Sequence, residues 1–415
     1  MVLQVAFILT CTADITRRFC LLLALFAFAS GTPPTGTIAA QDACPRPHWV
    51  GAYVPGWAQE DSAQFQDPEF DSITHLLHFA VFVRPNGSLD LRSNELTPNN
   101  MRDLIAQGHH SGRRVLLVVG GERADKGLRI ACSPKNLPHT VQTLANLVET
   151  YGYDGVDMDW EPFPTRDAQL YAQAIKRLRK SLDEISVRRN RTRIVLSAAI
   201  EVDLNDEPYM RSLPQILADL RQYLDQINLM TYTMASPMKL PFVWHNSALY
   251  PAGKSPKPGF RTPNVDEAVR VFLVAGFQPS QLGIGINLHG YVWRSRDKFN
   301  AEDLSQVGAI WEVRPEDSEL TYDELMSQYF SPSRYRWDSD AHVPYLSIPE
   351  RRMFVSYEDE RGIQEKVAYV RSRQLGGMIV WDTGGTREVN ESRRLLQIVD
   401  ESVRRCAPDT AHRQH

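Results

Sequence analysis

Short apolar segments alternate with longer amphipathic segments along most of the chain. Each apolar segment is nearly continuous in hydrophobic character, as is typical of parallel strands that are covered on both faces. The pattern therefore predicts eight strands, at residues 49–54, 73–82, 114–121, 153–160, 193–200, 226–232, 281–288 and 376–381.

The segments between these strands have the spacing of amphipathic helices. Between residues 165 and 188, apolar side chains recur at intervals of three and four and form one stripe, namely Leu170, Ala174, Leu178, Leu182 and Ile185. Eight strands that alternate with helices favour the α/β class and a (β/α)8 TIM barrel. We expect this barrel to span residues 46–405.

One interval is too long for a single connecting helix. Residues 289–375 separate the last two predicted strands, and they include Trp311, Trp337 and Tyr345 among many charged positions. A loop of this length without structure of its own would be unusual in a compact domain. We therefore predict a small α+β insertion at residues 294–352, within the barrel.

The N-terminus has the pattern of a secretory signal. Arg17 and Arg18 precede an apolar stretch at 19–30, and small and polar residues follow it. The apolar stretch is too short for a stable membrane anchor. We interpret residues 1–40 as a leader cleaved after Ala29 or nearer Ala40, and residues 1–16 as an upstream extension from a misplaced start codon. A buried N-terminal helix is the alternative. A cleaved leader would make the protein secreted, either extracellular or periplasmic.

Composition and cysteine content narrow the classes of partner. The chain has 415 residues, 43% hydrophobic and 23% charged, with a net charge of −4 and both signs interspersed. No basic block indicates a nucleic-acid partner, and we expect a monomer without membrane contacts after leader removal. Cys44, Cys132 and Cys406 follow the leader, and a bridge between Cys44 and Cys406 would tie the two ends together. No Cys or His cluster predicts a metal, and we expect no cofactor.

The fourth predicted strand carries four acidic side chains in the stretch DGVDMDWE, at 154–161. Asp157, Asp159 and Glu161 are spaced by two, so they point into the barrel, with Glu161 at its rim; Asp154 falls out of phase. Active sites of such barrels lie at the C-terminal ends of the strands. Burial and mutual repulsion raise the pKa of such carboxyls and keep Glu161 protonated near neutrality, ready to act as an acid. An ion network or a divalent-cation site is the alternative.

The same stretch resembles the DGxDxDxE signature of glycoside hydrolase family 18, the chitinase family. Further resemblances follow in the family's order: VLLVVGG to its SxGG motif, NLMTY to its MxY motif, and LGIGINLHGYVW to its seventh strand. WDSDAHVPY and FVSYEDERGIQEK resemble the inserted domain and the helix that precedes the last strand, which LGGMIVW matches. The resemblance covers roughly residues 47–400 and is to bacterial-type chitinases with an inserted α+β domain.

This resemblance implies a role for each residue that matches a motif. Glu161 would be the general acid that protonates the glycosidic oxygen, and the substrate's own acetamido oxygen would attack the anomeric carbon. Asp159 would hold the acetamido N–H and stabilise the oxazolinium ion, and Asp157 would share a proton or hydrogen bond with Asp159. Tyr232 would donate to the acetamido carbonyl, and Trp381 would form the apolar floor under the distorted sugar.

Further substrate contacts are expected from aromatic residues after the strands. Trp57, Trp244 and Trp293 follow the first, sixth and seventh predicted strands, where rim loops would present them to sugars; ordinary packing is the alternative. We also place Asp154 and Thr233 among the substrate-binding residues. Trp160 alternates with Glu161 and should face away from the interior, towards the helices.

Two positions depart from the family pattern. The family usually has Asp or Asn after the MxY tyrosine, where this chain has Thr233, and the usual serine of SxGG is Val118. Thr233 cannot carry charge. Val118 removes a polar neighbour from the row of carboxyls formed by Asp157, Asp159 and Glu161, here called the acidic row. Reduced activity or altered specificity is therefore an open alternative.

The resemblance implies a secreted, endo-acting, retaining hydrolase of β-1,4-linked N-acetylglucosamine polymers, with chitin or chito-oligosaccharides as substrate. Peptidoglycan or the chitobiose core of N-glycans are alternative substrates for the same chemistry. A chitinase-like lectin that binds without cleaving is an alternative of another class. The presence of Glu161 argues against the lectin, because lectins of this family typically lose that residue.

Overall fold

The computed structural model describes residues 47–59, 70–163, 165–190, 193–296, 303–384 and 391–405. The leader predicted at 1–40, and both cysteines of the bridge that the sequence allows between Cys44 and Cys406, lie outside these residues. Cys132 is a buried free cysteine, and burial raises the pKa of its thiol to about 12.

The strands, in chain order, are β1 (Trp49–Pro55), β2 (His75–Val83), β3 (Leu89–Asp90), β4 (Arg114–Gly121), β5 (Gly155–Trp160), β6 (Val195–Glu201), β7 (Gln226–Met230), β8 (Leu282–Asn287), β9 (His289–Arg294), β10 (Glu316–Thr321), β11 (Tyr335–Asp338), β12 (Val343–Ile348), β13 (Met353–Ser356) and β14 (Gly377–Trp381). The α-helices are α1 (Pro98–His110), α2 (Asp125–Ala131), α3 (Leu137–Tyr151), α4 (Ala168–Arg188), α5 (Glu207–Ala218), α6 (Val265–Val274), α7 (Tyr322–Gln328), α8 (Glu360–Ser372) and α9 (Glu391–Arg404).

Eight parallel strands close into a barrel. β1, β2, β4, β5, β6, β7, β8 and β14 pair in that order, and β1 also pairs with β14, which leaves no open edge among them. β3 adds a short antiparallel pairing to β2. Each barrel strand lies on one of the eight predicted segments, so the predicted (β/α)8 barrel is confirmed.

Helices cover the outer face of the barrel as their apolar stripes require. In α4, Ala174, Leu178, Leu182 and Ile185 of the predicted stripe are buried. Trp160 is also buried on this side, with ring contacts to Phe163 and Tyr171, as the alternation along β5 predicts.

A second sheet interrupts the chain between β8 and α8. It has five antiparallel strands in the order β10-β9-β13-β12-β11, and α7 connects β10 to β11. This sheet begins at His289 and ends at Ser356, a few residues outside the predicted bounds of 294–352. The insertion therefore begins directly after β8, at the C-terminal end of a barrel strand. Within the described part of the chain, no helix is both long and apolar enough to span a membrane.

Candidate active site

The acidic row follows β5 from the barrel interior to its C-terminal rim. Asp157 and Asp159 are buried inside the barrel, and Glu161 lies directly after the last residue of the strand and is partly exposed. Solvent access therefore increases along the row, and only Glu161 is open to a ligand at the rim.

Asp157 is the most deeply enclosed of these carboxyls. Tyr53 Oη donates to its Oδ2 at 2.9 Å, and Ser197 Oγ donates to its Oδ1 at 2.5 Å. Burial raises the pKa of Asp157 to about 6, and the two hydrogen bonds oppose that rise because they favour the ionised form. Asp157 therefore titrates near the acid end of the neutral range.

Asp159 lies between the other two carboxyls. Burial raises its pKa well above the ordinary value, and the negative charges of Glu161 and Asp157 raise it further. Asp159 also shares a hydrogen bond with Glu161. The neighbouring strand has Gly120 at this register, where a Cβ would lie 1.9 Å from the backbone oxygen of Asp159. The glycine at position 120 of β4 therefore lets the backbone of Asp159 lie close to that strand.

Glu161 has the properties of a proton donor at neutral pH. Burial raises its pKa to about 7, with further contributions from the negative charges of Glu201 and Glu122, while the hydrogen bond with Asp159 and the charge of Lys239 lower it. Glu201 ends β6, and its Oε1 lies 3.0 Å from Lys239 Nζ. This ion pair at the rim was not predicted from the sequence, because its members are 38 residues apart.

Tyr232 follows β7 and faces the acidic row. Burial raises the pKa of its hydroxyl well above 10, and the charges of Glu161, Asp159 and Asp157 add to the effect. The hydroxyl therefore keeps its proton and can donate a hydrogen bond. Its ring lies against Gly285 of β8, where a Cβ would be 2.5 Å from the ring. Only glycine leaves room for the ring at that position.

Aromatic side chains form one side of the site. Trp381, at the end of β14, makes edge contacts with Tyr53 at 5.5 Å and Phe79 at 4.8 Å between ring centroids. Trp57 makes an edge contact with Phe79 at 5.9 Å and is 49% exposed. Trp381 at the end of β14 and Trp57 shortly after the end of β1 thus share Phe79 as an aromatic neighbour, and their contact with a sugar stays a prediction. Tyr53 and Phe79 were missed because each resembles an ordinary strand residue.

Asp382 adds a fourth carboxyl next to Trp381. Burial raises its pKa, and the charge of His289 at the start of β9 lowers it. The same carboxyl contributes to the raised pKa of Tyr232. No motif singled out this residue, although its position directly after a barrel strand is the signal that could have found it.

The prediction that Trp244 and Trp293 are presented at the rim is wrong. Trp244 is 2% exposed and Trp293 is 0% exposed, and both lie in an apolar cluster with Phe242 and Phe354. Trp244 donates its Nε1 hydrogen to the backbone oxygen of Pro263 at 3.0 Å. Trp244 of the chain after β7 and Trp293 of β9 therefore form a shared core where that segment packs on the inserted sheet.

The placement of Asp154 as a substrate contact is also wrong. Asp154 precedes β5, at the end of the barrel opposite Glu161. Its Oδ2 contacts His109 Nε2 at 2.7 Å and accepts from the backbone nitrogen of Val115 at 2.9 Å. Its carboxylate therefore joins α1, β4 and β5 and takes no part in the site.

Thr233 lies beside Tyr232 with its backbone fixed by neighbours. It has φ +50°, its nitrogen donates to Asn246 Oδ1 at 2.5 Å, and its oxygen accepts from Lys239 Nζ at 3.4 Å. The contact of Thr233 with substrate stays a prediction. Among the described residues, no group of three or more His, Cys, Asp or Glu side chains is placed to hold a metal ion.

Comparisons with known proteins agree with this geometry. The sequence model of the family described as Glycosyl hydrolases family 18 matches residues 50–385. Chitotriosidase-1 of Mus musculus is 28% identical over 348 residues, covering 79% of this chain and 71% of the relative. Chitinase A1 of Niallia circulans is 23% identical over 316 residues, which is 71% of this chain and 44% of that protein.

A solved structure shares the fold. The family 18 N-acetylglucosaminidase of Paenibacillus barengoltzii superposes with a TM-score of 0.69 at 23% identity, over 85% of this chain and 99% of that one. The family match extends over most of the chain, from the second residue of β1 to beyond the end of β14. The chain therefore belongs to glycosyl hydrolase family 18.

Proposed function

We propose that the protein is a secreted, endo-acting hydrolase of β-1,4-linked N-acetylglucosamine polymers, with chitin or chito-oligosaccharides as substrate. The observation that carries the proposal is the hydrogen-bonded pair of carboxyls, Asp159 and Glu161, near the hydroxyl of Tyr232. The names of the mouse and Niallia relatives, which refer to chitin, support the choice of polymer.

The first chemical step is a proton transfer from Glu161. Its raised pKa of about 7 leaves a large fraction protonated at neutral pH, which suits a general acid. As the Glu161 proton passes to the glycosidic oxygen, the acetamido oxygen of the sugar bonds to the anomeric carbon and the glycosidic bond breaks. The products are a free alcohol on the leaving sugar and a cyclic oxazolinium ion.

Asp159 and Tyr232 act on the acetamido group during this step. The ionised Asp159 accepts a hydrogen bond from the acetamido N–H and faces the positive charge that develops there. The Tyr232 hydroxyl, which keeps its proton, orients the acetamido carbonyl. When Asp159 turns from Glu161 to the substrate, the proton of its carboxyl passes to ionised Asp157, whose pKa of about 6 lets it accept a proton near neutral pH, and Asp159 becomes ionised.

The second step returns Glu161 to its acid form. Glu161, now ionised, takes a proton from water while the water oxygen bonds to the anomeric carbon and the ring of the oxazolinium opens. Two inversions at one carbon give net retention, so the first product is the β-anomer. Trp381 supports the distorted sugar and helps to exclude bulk water from the intermediate.

The test is cleavage of partially deacetylated chitosan, with products identified by mass and NMR. Because the acetamido group is the nucleophile, we expect new reducing ends that are N-acetylglucosamine and a first-formed β-anomer. Glucosamine at new reducing ends, or an α-anomer appearing first, would overturn the mechanism. Parallel incubations with peptidoglycan and an N-glycan test the two alternative substrates.

Secretion is proposed on the sequence of the N-terminus alone. Arg17 and Arg18 precede the apolar stretch at 19–30. We expect N-terminal sequencing of the protein recovered outside the cytoplasm to begin after Ala29 or later. Recovery with Met1 intact would contradict the proposal.

A further inference from the structure

The residue directly after Tyr232 has an unfavourable backbone conformation. Thr233 has φ +50°, in the left-handed region that glycine favours. A β-branched side chain is an outlier there, because its Cβ crowds the following carbonyl oxygen. Such a conformation persists only where the surrounding structure holds it. The groups that hold Thr233 therefore also fix the backbone of Tyr232.

The side chain of Asn246 holds Thr233 in this conformation. Asn246 Oδ1 accepts from the backbone nitrogen of Thr233 at 2.5 Å, and the Asn246 backbone oxygen accepts from the nitrogen of Met234 at 3.2 Å. The oxygen of Thr233 has a longer contact, with Lys239 Nζ at 3.4 Å. Asn246 is 3% exposed, so water has little access to replace its side chain. One buried residue thus binds both N–H groups that follow Tyr232.

The inserted sheet anchors Asn246. The backbone nitrogen of Asn246 donates to Ser356 Oγ at 2.8 Å, and Ser356 is the last residue of β13. This strand lies between β9 and β12, so it is paired on both sides. The contact connects the inserted sheet to the backbone beside Tyr232 through a single intervening residue.

A second contact fixes the residue that precedes Tyr232. Ser247 Oγ donates to the backbone oxygen of Thr231 at 2.5 Å and accepts from Lys366 Nζ of α8 at 2.7 Å. Lys366 also forms a buried ion pair with Glu358. Both chain neighbours of Tyr232 are therefore held by two consecutive residues, and these are held in turn by the inserted sheet and by α8.

We propose that Asn246 is a positioning residue for Tyr232, and that through Asn246 the inserted sheet keeps the Tyr232 hydroxyl directed towards the acidic row. The catalytic consequence rests on the proposed function. Asn246 acts through the backbone of Thr233 and does not touch the substrate. Tyr232 is therefore correctly placed only while the inserted sheet is packed on the barrel.

The first experiment compares two buried asparagines that follow β7. A hydrogen bond contributes on the order of a tenfold change in an equilibrium constant, so Asn246→Ala should lower kcat/KM on a chito-oligosaccharide by about tenfold. Asn264→Ala is the matched control, because Asn264 is equally buried and its Oδ1 accepts from the backbone nitrogen of Glu267 at 2.8 Å, at the start of α6. We expect the control to lose stability in urea unfolding and to keep its kcat/KM. No loss in Asn246→Ala, or an equal loss in both variants, would overturn the proposal.

Rescue at Thr233 separates a backbone effect from a packing effect. Glycine adopts positive φ about as readily as negative φ, so it needs no partner to hold it there. We expect Thr233→Gly, added to Asn246→Ala, to recover at least half of the loss in log kcat/KM. Thr233→Ala in the same background removes the same hydroxyl and methyl groups but keeps the Cβ, and it should recover nothing. Equal recovery by both double variants, or recovery by neither, would contradict the proposal.

A milder pair of variants tests the connection to the inserted sheet, and it remains available if Asn246→Ala does not fold. Ser356→Ala removes the hydroxyl that anchors Asn246 and should lower kcat/KM by a factor of about 2–10. Ser347→Ala is the control, because Ser347 of β12 is equally buried in the same sheet and accepts from Gln306 Nε2 at 2.8 Å. The Ser356→Ala loss should disappear once Tyr232→Phe has removed the Tyr232 hydroxyl. Unchanged kcat/KM in Ser356→Ala, or a loss that persists in full beside Tyr232→Phe, would overturn the proposal.

A second measurement does not depend on activity. In a crystal structure of the Asn246→Ala variant, or of Ser356→Ala if the former does not fold, we expect Thr233 to leave positive φ and the Tyr232 hydroxyl to move by about 1 Å, the displacement that disables a catalytic group. If the natural chain cleaves no N-acetylglucosamine polymer, the proposed function fails, and this structure still tests the positioning of Tyr232. An unchanged Thr233 and Tyr232 would overturn the inference, whatever the activity.

Discussion

Gly285→Ala should displace the ring of Tyr232 while leaving its hydroxyl group chemically unchanged. Gly285 lies in β8 next to the Tyr232 ring, and a Cβ built on it falls 2.5 Å from Cε1 and 2.7 Å from Cδ1. Carbon atoms in contact prefer separations near 3.5–4.0 Å, so the ring must move by about 1 Å. The backbone oxygen of Leu229, 3.2 Å from the same point, limits how far β8 can move instead.

The size of the effect follows from that displacement. A misplacement of about 1 Å in a catalytic constellation costs on the order of 10²-fold in rate. Since each tenfold change corresponds to about 1.4 kcal/mol, the loss of transition-state stabilisation is about 2.7 kcal/mol. We expect kcat/KM on a chito-oligosaccharide to fall by this factor, because the Tyr232 hydroxyl no longer reaches the acetamido carbonyl.

Gly283→Ala is the matched control on the same strand. A Cβ at Gly283 would lie 3.0 Å from Asn228 Oδ1 and 3.1 Å from Trp49 Nε1, towards the other end of the barrel. It makes the same chemical change without meeting Tyr232. We expect this variant to lose some stability in urea unfolding and to keep its kcat/KM.

A double-variant cycle identifies the group through which Gly285→Ala acts. If the effect runs through the Tyr232 hydroxyl, Gly285→Ala should cost little more once Tyr232→Phe has removed that hydroxyl. Full activity in Gly285→Ala, an equal loss in Gly283→Ala, or additive losses with Tyr232→Phe would each refute the reasoning.

Three further predictions concern the carboxyls. Glu161→Gln removes the acid proton and should lower kcat by about 10²-fold or more while calorimetry still detects oligosaccharide binding; near-normal turnover would contradict its role. Glu201→Gln should move the alkaline limb of the pH–rate profile to lower pH, because the Glu201 charge raises the pKa of Glu161, whereas the exposed Glu207→Gln should leave the limb unchanged. Asp159→Asn should abolish turnover. It should also raise the free energy of unfolding at pH 8 but not at pH 4, because the raised pKa of Asp159 costs stability only where the unfolded chain is ionised. A variant that is less stable than the natural chain at pH 8 would contradict this reasoning.

The barrel could be predicted because its strands are buried on both faces. Such strands appear in the sequence as continuous apolar runs, and all eight predicted runs became barrel strands. The acidic row was recognisable for the opposite reason, since charges that interrupt a buried strand have no structural benefit. Both signals are local, and each needs only neighbouring residues to be seen.

The partners of the acidic row were not predictable in this way. Tyr53 and Ser197 lie 104 and 40 residues from Asp157, on strands that only barrel closure brings beside β5. In the sequence, Tyr53 and Ser197 each appear as one polar or aromatic residue within an otherwise apolar strand. The inward-facing position of Ser197 was available from the sequence, but its contact with Asp157 follows only from the register between β5 and β6.

The tryptophans show where the strand-end rule fails, namely the expectation that residues directly after a barrel strand are presented at the rim. Trp293 follows the seventh strand in the sequence, but only Leu288 separates β8 from β9, so the chain continues into a sheet instead of a rim loop. Trp57 follows β1 with no sheet attached and remains exposed. The rule therefore holds for connections that end at the rim and fails where an inserted domain requires the same aromatic residues for its core.

The three carboxyls of the acidic row lower the stability of the fold, yet all of them are carried by one strand and the residue directly after it. Burial raises the pKa of Asp157 to about 6 and that of Glu161 to about 7, and it places that of Asp159 well above the ordinary value. Each raised value costs stability at neutral pH, because the unfolded chain would be ionised there. Spreading the carboxyls over separate strands would reduce that cost. On the proposed mechanism it would also remove the coupling through which one proton moves along the row, since Asp159 is then neutral beside Glu161 and ionised beside the substrate. The rigid spacing of alternate residues in β5 supplies that coupling, and the closed barrel supplies the stability that offsets it.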